Sequence, residues 1–330
     1  MKLEVYGLLP GESGLNKVLI LGNSNIVNKR VIPALSLISS VKSIEIASLT
    51  SSPLLSGKIT KVHGSYEDAL KNFDGDLVYI SLANHLHDKY LKMSIDNNLN
   101  CVVDKPAIVY PDTLDYLKLN NTENKIIAES VVFMEHPAWS SLINELNGPS
   151  NISKVVGNFM IPKLDKTNFR MNKEFFGGAL NDMSSYAMGM GRWLWNSSPK
   201  DIKIGNVETD GDLIKSFSFV ADYGSNRISM GSFGFGYEYI NRVTMIGKNS
   251  WGDLDRVFSA PPDLNICISG KNKNNPWTKE IEKGDSFKIF LENLLDDINS
   301  NQTGNWFKKV QDTFADYSNL SNEINKWRQK

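Results

Sequence analysis

The stretch at residues 99–106, which reads Leu-Asn-Cys-Val-Val-Asp-Lys-Pro, constrains the fold more than any other part of this chain. Its first five residues have the length and the β-branched content of a strand that is buried on both faces. The run then ends at Asp104, Lys105 and Pro106, and a proline cannot continue a ladder of hydrogen bonds. In an open α/β sheet, ligands bind beyond the carboxyl ends of the strands. Lys105 is therefore predicted to point into such a crevice, and an ordinary surface lysine at a strand end is the alternative.

Length and charge limit the classes of protein to which the chain can belong. Its 330 residues suit two domains of ordinary size. The 36 Lys+Arg residues balance 37 Asp+Glu residues, which argues against nucleic acid or a membrane surface as a partner. The two cysteines, Cys101 and Cys267, form neither a disulfide framework nor a zinc-binding spacing. With no apolar run of signal-peptide or membrane-helix type, we expect a cytoplasmic protein without a bound metal.

A strand, a turn and a helix are predicted near the start of the chain. Residues 17–21 are a short apolar strand, and the residues after it can form one apolar helical face. Dinucleotide-binding turns carry glycines at the first, third and sixth positions, whereas this turn has Gly22, Ser24 and Val27 there. A serine still leaves room for phosphate at the helix N-terminus. A cofactor-binding turn and a plain turn without ligand both stay open on these residues alone.

Polar residues follow two further predicted strands in the same half. The strand at residues 43–47 is followed by hydroxyl-rich residues 48–53, where an NAD-binding protein normally carries an acidic residue for the ribose 2′-hydroxyl. The missing carboxylate leaves space for a 2′-phosphate, with Lys58 nearby in sequence, and this favours NADP; a polar surface loop is the alternative. The strand at residues 76–81 places Asn84 and His87 beyond its carboxyl end, close to where a nicotinamide ribose would lie.

Three segments carry a resemblance to a known superfamily: Tyr66-Glu-Asp-Ala-Leu70, residues 79–87 and Val103-Asp-Lys-Pro-Ala107. Together they resemble the N-terminal domain of the glucose-fructose oxidoreductase and inositol dehydrogenase superfamily, Gfo/Idh/MocA. The resemblance implies that Lys105 is the lysine of the family's Glu-Lys-Pro motif, beside the nicotinamide and the reacting carbon, with Asp104 in place of the usual Glu. NADP is the favoured cofactor and NAD the alternative. The predicted cofactor-binding residues are Gly22, Ser24, Asn25, Ile26, Ser48, Thr50, Ser51, Ser81, Asn84, His87, Asp104 and Lys105.

A glycine pair followed by a helix, at residues 176–194, is the second informative stretch. Asp182 and Tyr186 are four residues apart and share one helical face. The family usually has Asp and, four residues later, His; a subset that includes enzymes similar to dihydrodiol dehydrogenase and some sugar ketoreductases has Tyr, and this chain resembles that subset. Tyr186 is then an acid/base or positioning group, and Asp182 orients the substrate or Lys105. Lys105 is an alternative proton donor, and on residue type alone Tyr186 is a packed aromatic residue.

Electrostatics make the pairing of Lys105 with Tyr186 plausible. A free tyrosine has a pKa of about 10, and a lysine ammonium about 4 Å away contributes roughly 4 kcal/mol at an effective dielectric near 20. We therefore expect Lys105 to bring the pKa of Tyr186 towards neutral pH. The segment from Asn168 to Arg170 also resembles the family, and both residues are predicted to contact substrate hydroxyls or phosphate. Arg170 is equally compatible with a structural ion pair.

Alternating residues from position 206 onward predict antiparallel strands at residues 213–220, 227–233 and 240–246. The expected fold class is α/β: a Rossmann domain with a doubly wound parallel sheet at residues 1–133, then an α+β domain at residues 134–330 with a large, mostly antiparallel open sheet. The second domain is expected to bind substrate. Because the open face of that sheet commonly forms the subunit interface in the superfamily, the resemblance implies a homodimer or homotetramer.

The expected function is hydride transfer between NADP and a secondary alcohol or ketone of a sugar. Residues 237–248 and 256–263 resemble family members associated with nucleotide-sugar biosynthesis, which favours a nucleotide-linked sugar. A non-catalytic protein that senses a dinucleotide or a sugar is the alternative, because the turn after the first strand is degenerate. The presence of Lys105, Asp182 and Tyr186 argues against a sensor, since a sensor needs no proton donor.

Overall fold

The computed structural model describes residues 16–49 and 53–330, and a six-stranded parallel sheet lies at the start of the described chain. Its strands follow the order β3-β2-β1-β4-β5-β6, which is the doubly wound order of dinucleotide-binding domains. The predicted parallel sheet is thereby confirmed. The strands are β1 (Asn16–Leu21), β2 (Val41–Ala47), β3 (Ile59–His63), β4 (Leu77–Ile80), β5 (Asn100–Val103) and β6 (Ile127–Glu129).

Helices connect these strands and cover both faces of the sheet. Ser65 begins one of them as predicted, because its hydroxyl accepts a hydrogen bond from the Asp68 N–H at 3.1 Å. On β5, Val102 packs on one face of the sheet while Cys101 and Val103 pack on the other, so this strand is buried on both sides. The helices are α1 (Ile32–Leu37), which follows a π-helical turn at Val27–Val31, α2 (Tyr66–Asn72), α3 (His87–Asp96) and α4 (Pro111–Asn120).

A second sheet of eight strands follows in the order β14-β13-β12-β11-β7-β10-β9-β8. Its neighbouring strands are antiparallel except β7 and β10, which run parallel, so the prediction of a mostly antiparallel sheet is confirmed. The strands are β7 (Ile152–Ile161), β8 (Asp201–Asp210), β9 (Leu213–Gly224), β10 (Arg227–Phe235), β11 (Ile240–Gly247), β12 (Ser250–Asp255), β13 (Ile266–Asn272) and β14 (Asn275–Ile281).

Four helices accompany the second half: α5 (Pro137–Glu145), α6 (Ala179–Trp195), α7 (Ser286–Asn299) and α8 (Trp306–Arg328). Helix α6 packs on the second sheet through an apolar stripe that includes Met183, Ala187 and Met190. Helix α7 returns to the first sheet, where Phe290 and Leu294 are buried. Helix α8 contributes buried residues to the cores of both sheets. The domain boundary predicted after residue 133 stays a prediction.

The apolar run at residues 125–133 predicts a sixth strand, and most of this prediction is wrong, since β6 contains only three residues. After Glu129 the chain makes one more bond to the sheet, from the Ser130 N–H to the Val103 carbonyl at 2.9 Å, and then turns away. Val131 and Phe133 are buried against the second sheet instead of in a strand. An apolar run shows that residues are buried but not in which element.

Within residues 16–49 and 53–330, no helix has the length and apolar character needed to cross a membrane. The same residues hold no group of three or more His, Cys, Asp or Glu side chains placed to bind a metal ion. Both cysteines are free; Cys101 is buried in β5 and Cys267 is exposed on β13.

Candidate active site

The three residues predicted as catalytic come together beyond the carboxyl end of β5. Lys105 Nζ donates to Asp182 Oδ1 at 2.8 Å and to the Asp182 main-chain carbonyl at 2.7 Å. The same ammonium lies 4.9 Å from the centre of the Tyr186 ring. The Lys105 side chain is only 13% exposed. This lysine therefore belongs to a buried charged cluster and is not a surface lysine.

The glycine pair at residues 177 and 178 determines where α6 begins. Gly178 has a φ of +96°, a conformation that side chains rarely adopt. A Cβ on Gly177 would lie 2.5 Å from the Arg170 carbonyl oxygen, so the chain can make this close approach only with glycine. The approach sets Asp182 in the first turn of α6, where the helix dipole favours a carboxylate.

Asp182 accepts from two cations. Besides Lys105, the Arg170 Nε lies 3.1 Å from its Oδ1. Burial raises the pKa of Asp182, but Lys105 and Arg170 outweigh burial and lower it to about 2. Burial likewise lowers the pKa of Lys105, and the Asp182 carboxylate reverses this, so the pKa of Lys105 stands above its ordinary value. The pair is therefore an ammonium and a carboxylate throughout the physiological pH range.

The pKa of Tyr186 differs from expectation. Burial raises the pKa of the phenol, and the nearby Lys105 ammonium only partly opposes this, so the net shift is upward and not towards neutral pH. The physical reason is that the ammonium lies against the ring face and is already neutralised by Asp182. The Tyr186 hydroxyl makes no hydrogen bond to any residue in the described ranges. It is a protonated donor without a partner among those residues.

An aromatic wall around Tyr186 was missed by the sequence reasoning. The Tyr186 ring lies 5.4 Å from Phe258, 5.6 Å from Phe159 and 6.0 Å from Phe133, measured between ring centres. Phe159 stands on the buried side of β7, so the alternation of that strand was the available signal. These rings exclude water from one side of the phenol.

Asp104 supports the turn that carries Lys105. Its carboxylate accepts from the Tyr79 hydroxyl at 2.7 Å, the Ser81 hydroxyl at 2.5 Å and the Ser130 hydroxyl at 3.0 Å. Three neighbouring strand ends are thereby tied to one carboxylate. Asp104 is shorter than the family's usual Glu, but its carboxylate still accepts from all three hydroxyls.

Two further residues predicted to bind cofactor also bind the chain itself. His87 is fully buried, with Nδ1 2.8 Å from the Pro106 carbonyl and Nε2 3.0 Å from the Leu82 carbonyl. A neutral imidazole can donate to only one of these oxygens. Asn84 donates to the Phe176 carbonyl at 3.0 Å and joins the end of β4 to the loop before α6. Both residues shape the crevice walls, and both ring nitrogens of His87 face carbonyl oxygens of the chain.

The turn after β1 has a different character. Gly22 has a φ of +103°, and a Cβ there would lie 2.2 Å from the Ser81 carbonyl oxygen. The Ser24 hydroxyl contacts the Ser81 hydroxyl at 2.8 Å and accepts from the Val27 N–H at 3.2 Å. Asn25 and Ile26 are exposed in the first helical turn, whose N–H groups have no intrahelical acceptor. These groups fit the pyrophosphate of a dinucleotide.

Part of the loop predicted to surround the ribose belongs to the described residues. Ser48 is buried at the end of β2, whereas Thr50 and Ser51 lie outside the described residues. The Lys58 Nζ donates to the Ile38 carbonyl at 2.5 Å, just beyond the end of α1, so this ammonium has a partner within the chain. The suggested contact of Lys58 with a 2′-phosphate stays a prediction.

Of the residues predicted to bind substrate, Arg170 takes the structural alternative through its ion pair with Asp182. Asn168 caps the short turn at Phe169–Met171, because its side chain accepts from the Arg170 N–H at 3.0 Å. Asn168 thus positions Arg170. Glu129, a half-buried carboxyl group behind the Lys105 turn, was not singled out from the sequence, because it lies inside an apolar run.

Comparison with solved structures identifies the architecture. KijD10, a 3-ketoreductase from Actinomadura kijaniata solved with NADP and TDP-benzene, superposes with a TM-score of 0.79 over 90% of this chain and 94% of its own, at 18% identity. The chain has the fold of this ketoreductase. The resemblance predicted from the sequence is confirmed at the level of the fold. No protein-family model matches the chain.

Curated relatives are similar in sequence to parts of this chain. They are an uncharacterized oxidoreductase of Rhizobium meliloti, 23% identical over 56% of this chain, and a dTDP-3,4-didehydro-2,6-dideoxy-alpha-D-glucose 3-reductase of Saccharopolyspora spinosa, 22% identical over 63%. The chain spans 57% and 64% of their respective lengths. A D-xylose 1-dehydrogenase (NADP(+)) of Haloferax volcanii is 27% identical over 74% of this chain and 76% of its own.

Proposed function

We propose that this chain is an NADP-preferring oxidoreductase that transfers a hydride between the nicotinamide and a secondary alcohol or ketone of a sugar. One observation carries the proposal: a buried lysine held by a carboxylate lies against a tyrosine whose hydroxyl has no partner among the described residues. The cluster stands beyond the carboxyl ends of a doubly wound sheet, where such folds bind their ligands.

The residues present fit a dinucleotide. The first-turn N–H groups of Asn25 and Ile26 would hold the pyrophosphate, and Ser24 is small enough to let it approach. When bound, the cofactor supplies or accepts the hydride at its nicotinamide ring. NADP is preferred in this proposal because one relative is named for NADP(+) and the superposed ketoreductase was solved with NADP. NAD is the second possibility.

Reduction of a ketone requires a proton at the substrate oxygen, and Tyr186 is the proposed donor. Its raised pKa keeps the phenol protonated at neutral pH, which suits the reducing direction. The Lys105 ammonium stabilises negative charge on the same oxygen, and Asp182 fixes the position of the ammonium. Variants of the superposed ketoreductase with a replaced tyrosine and a replaced lysine have also been solved, which supports a role for these residue types.

A nucleotide-linked sugar is the proposed substrate class. The aromatic wall continues from Phe159 to Tyr239, with 6.4 Å between ring centres, and the Arg256 guanidinium lies 4.9 Å above the Tyr239 ring. Within the described ranges Arg256 forms no ion pair, so its charge is available for a diphosphate. Asn241 is buried and orders this platform, because its amide binds Tyr239 and Ser259. The curated dTDP-sugar reductase supports the same class.

Fluorescence of NADPH with purified protein tests the first part of the proposal. We expect binding that shifts the emission, and NADPH oxidation with at least one keto-sugar or nucleotide-linked keto-sugar. Inhibition by free nucleoside diphosphates, weakened by Arg256→Gln, tests the substrate class. Binding without turnover across a broad panel would support the sensor alternative, and absence of binding would contradict both.

We further propose that the chain forms a homodimer or homotetramer through the outer face of the second sheet. Val220, Ile240 and Trp251 are about 40% exposed or more on that sheet, at 41%, 46% and 40%. Exposed apolar side chains of this size are typical of interaction surfaces. Light scattering after size exclusion should give a multiple of the chain mass, and Trp251→Arg should lower it. A monomeric wild-type protein would contradict this.

A further inference from the structure

Glu129 links the two halves of the candidate site. It ends β6 directly beside Val103 of β5, and its Oε1 accepts from the Ala107 N–H at 3.0 Å, two residues beyond Lys105. Ser185 of α6 and Thr313 of α8 line the same small cavity as Glu129. Ser185 sits on α6 between Asp182 and Tyr186. The carboxyl group therefore lies where the Lys105 turn, α6 and α8 meet.

The surroundings of Glu129 are polar but contain little positive charge. It forms no ion pair among the residues of the described ranges, and it borders a small cavity into which the partnerless Ser184 hydroxyl also opens. Lys105 is the charged residue that most affects it. The other titratable groups that share a cavity with Glu129 are Glu135, Lys309 and Tyr317.

We propose that Glu129 is a positioning residue: as a carboxylate, it holds the Lys105 turn against α6 and so fixes Lys105 beside Asp182 and Tyr186. Its effect on turnover rests on the proposed function, whereas its effect on the position of Lys105 does not. Hydrogen bonds to a charged acceptor are stronger than those to a neutral one, so the strength with which Glu129 holds the Lys105 turn depends on the ionisation of its carboxyl group.

Glu129 is placed to change its charge in the physiological range. Burial raises its pKa from the ordinary value of 4.5 to about 7, against the opposing effects of Ala107, Thr313, Lys105 and Ser185. Asp182, with a pKa of about 2, and Tyr317, with a pKa of about 12, keep their charge state there. Glu135 also has a pKa raised by burial, so it must be distinguished by experiment.

Glu129→Gln preserves the shape and removes the charge. In the wild type, kcat should rise as pH increases through about 7, because the carboxylate form holds the turn. In the variant we expect this step to vanish and kcat at pH 8 to fall about tenfold, the loss of roughly one charge-assisted hydrogen bond, with KM for NADPH unchanged. Glu129→Asp, which restores the charge, should restore a pH step. An unchanged kcat and an unchanged pH step would overturn the proposal.

Acetylation of Lys105, measured by mass spectrometry on the free protein, tests the geometry without turnover. Glu129→Gln should make Lys105 react severalfold faster than in the wild type, and equal rates would overturn the proposal. If the wild type binds no NADPH or turns over no sugar, the proposed function fails while this measurement still decides the role of Glu129. Glu135→Gln is the matched control, since Glu135 shares a neighbouring cavity but contacts Asn293, at 3.4 Å, and not the Lys105 turn. It should leave both readouts unchanged.

Discussion

Two turns at the carboxyl edge of the first sheet differ in the groups that they use: one uses side chains and the other uses the main chain. The turn after β5 holds a buried charge with side chains: Asp104 receives three hydroxyls, and Lys105 is held by Asp182. The turn after β1 offers main-chain N–H groups in an exposed first helical turn, near Asn25. A buried ammonium needs a built set of partners, because an unpaired charge is costly. In the proposed function, the turn after β1 binds phosphate through the dipoles of its backbone N–H groups. Such binding does not require the two glycines that are replaced by Ser24 and Val27.

Lys105→Ala should have the largest effect, because the site after β5 depends on particular side chains. We expect kcat to fall about a thousandfold, as one group that stabilises charge on the substrate oxygen is lost. NADPH oxidation with an accepted sugar measures this, and NADPH fluorescence should show that binding persists.

Lys89→Ala is the matched control for Lys105. Lys89 also lies over a tyrosine ring, 4.7 Å from the centre of Tyr90, and also pairs with a carboxylate, that of Glu67 at 2.6 Å, but on the surface. Its loss should not change kcat. If Lys105→Ala turned over sugar as fast as the wild type, the assignment of the β5 turn as the reaction site would be wrong.

Tyr186→Phe should lower kcat about a hundredfold while leaving the free energy of unfolding almost unchanged, since the hydroxyl has no partner in the described chain. The wild-type alkaline limb of kcat should lie above about pH 10, because the pKa of the phenol is raised. Urea unfolding and pH-dependent kinetics measure the two effects.

Tyr223→Phe should behave in the opposite way. Its hydroxyl donates to the Met188 carbonyl at 3.3 Å inside the core of the second sheet. We expect a loss of about 1 kcal/mol in the free energy of unfolding and an unchanged kcat. A Tyr186→Phe variant that lost stability but kept its rate would make Tyr186 a packing residue.

The contrast between the two turns also explains what the sequence could predict. Strand ends and helix faces place residues, so the doubly wound sheet followed from local patterns. The meeting of Lys105 with Asp182 and Tyr186 was expected from the family resemblance. The direction of the pKa shift of Tyr186 did not follow from either, because it depends on which partner neutralises the ammonium first. Arg170 completes that pairing from a loop whose position no periodicity reveals.

Partners that lie far away in the sequence were hardest to recognise. His87 and Asn84 were predicted beside the cofactor from their position after β4, and the structure adds hydrogen bonds of the His87 ring and the Asn84 Nδ2 with carbonyls of the chain. Glu129 lies in an apolar run and is a half-buried carboxyl group beside the Lys105 turn, α6 and α8. In both cases long-range packing decides the partner, and a single strand pattern carries no information on that packing.

Ser24→Asp tests the turn after β1. A carboxylate at this position would repel the pyrophosphate from the helix N-terminus, and we expect the Kd for NADPH to rise about tenfold. The kcat at saturating NADPH should stay the same, because the variant leaves the β5 turn untouched. Ser36→Asp, at the other end of the same helix, is the control and should not change affinity. Equal affinities for Ser24→Asp and the wild type would show that phosphate binds elsewhere.

Lys58→Met should have the smallest effect on cofactor affinity. It tests whether Lys58 binds the cofactor or only stabilises the fold at this edge of the sheet. Lys58 Nζ donates to the carbonyl of Ile38, just beyond α1, and burial lowers its pKa, so the ammonium is used within the chain. We expect a loss of about 1 kcal/mol in the free energy of unfolding and no change in the affinity for NADPH or NADH. Thermal unfolding and fluorescence titration measure these quantities. A tenfold loss of NADPH affinity with unchanged NADH affinity would instead place Lys58 on the 2′-phosphate in the bound state, and the β1 edge would then need a charged side chain as the β5 edge does.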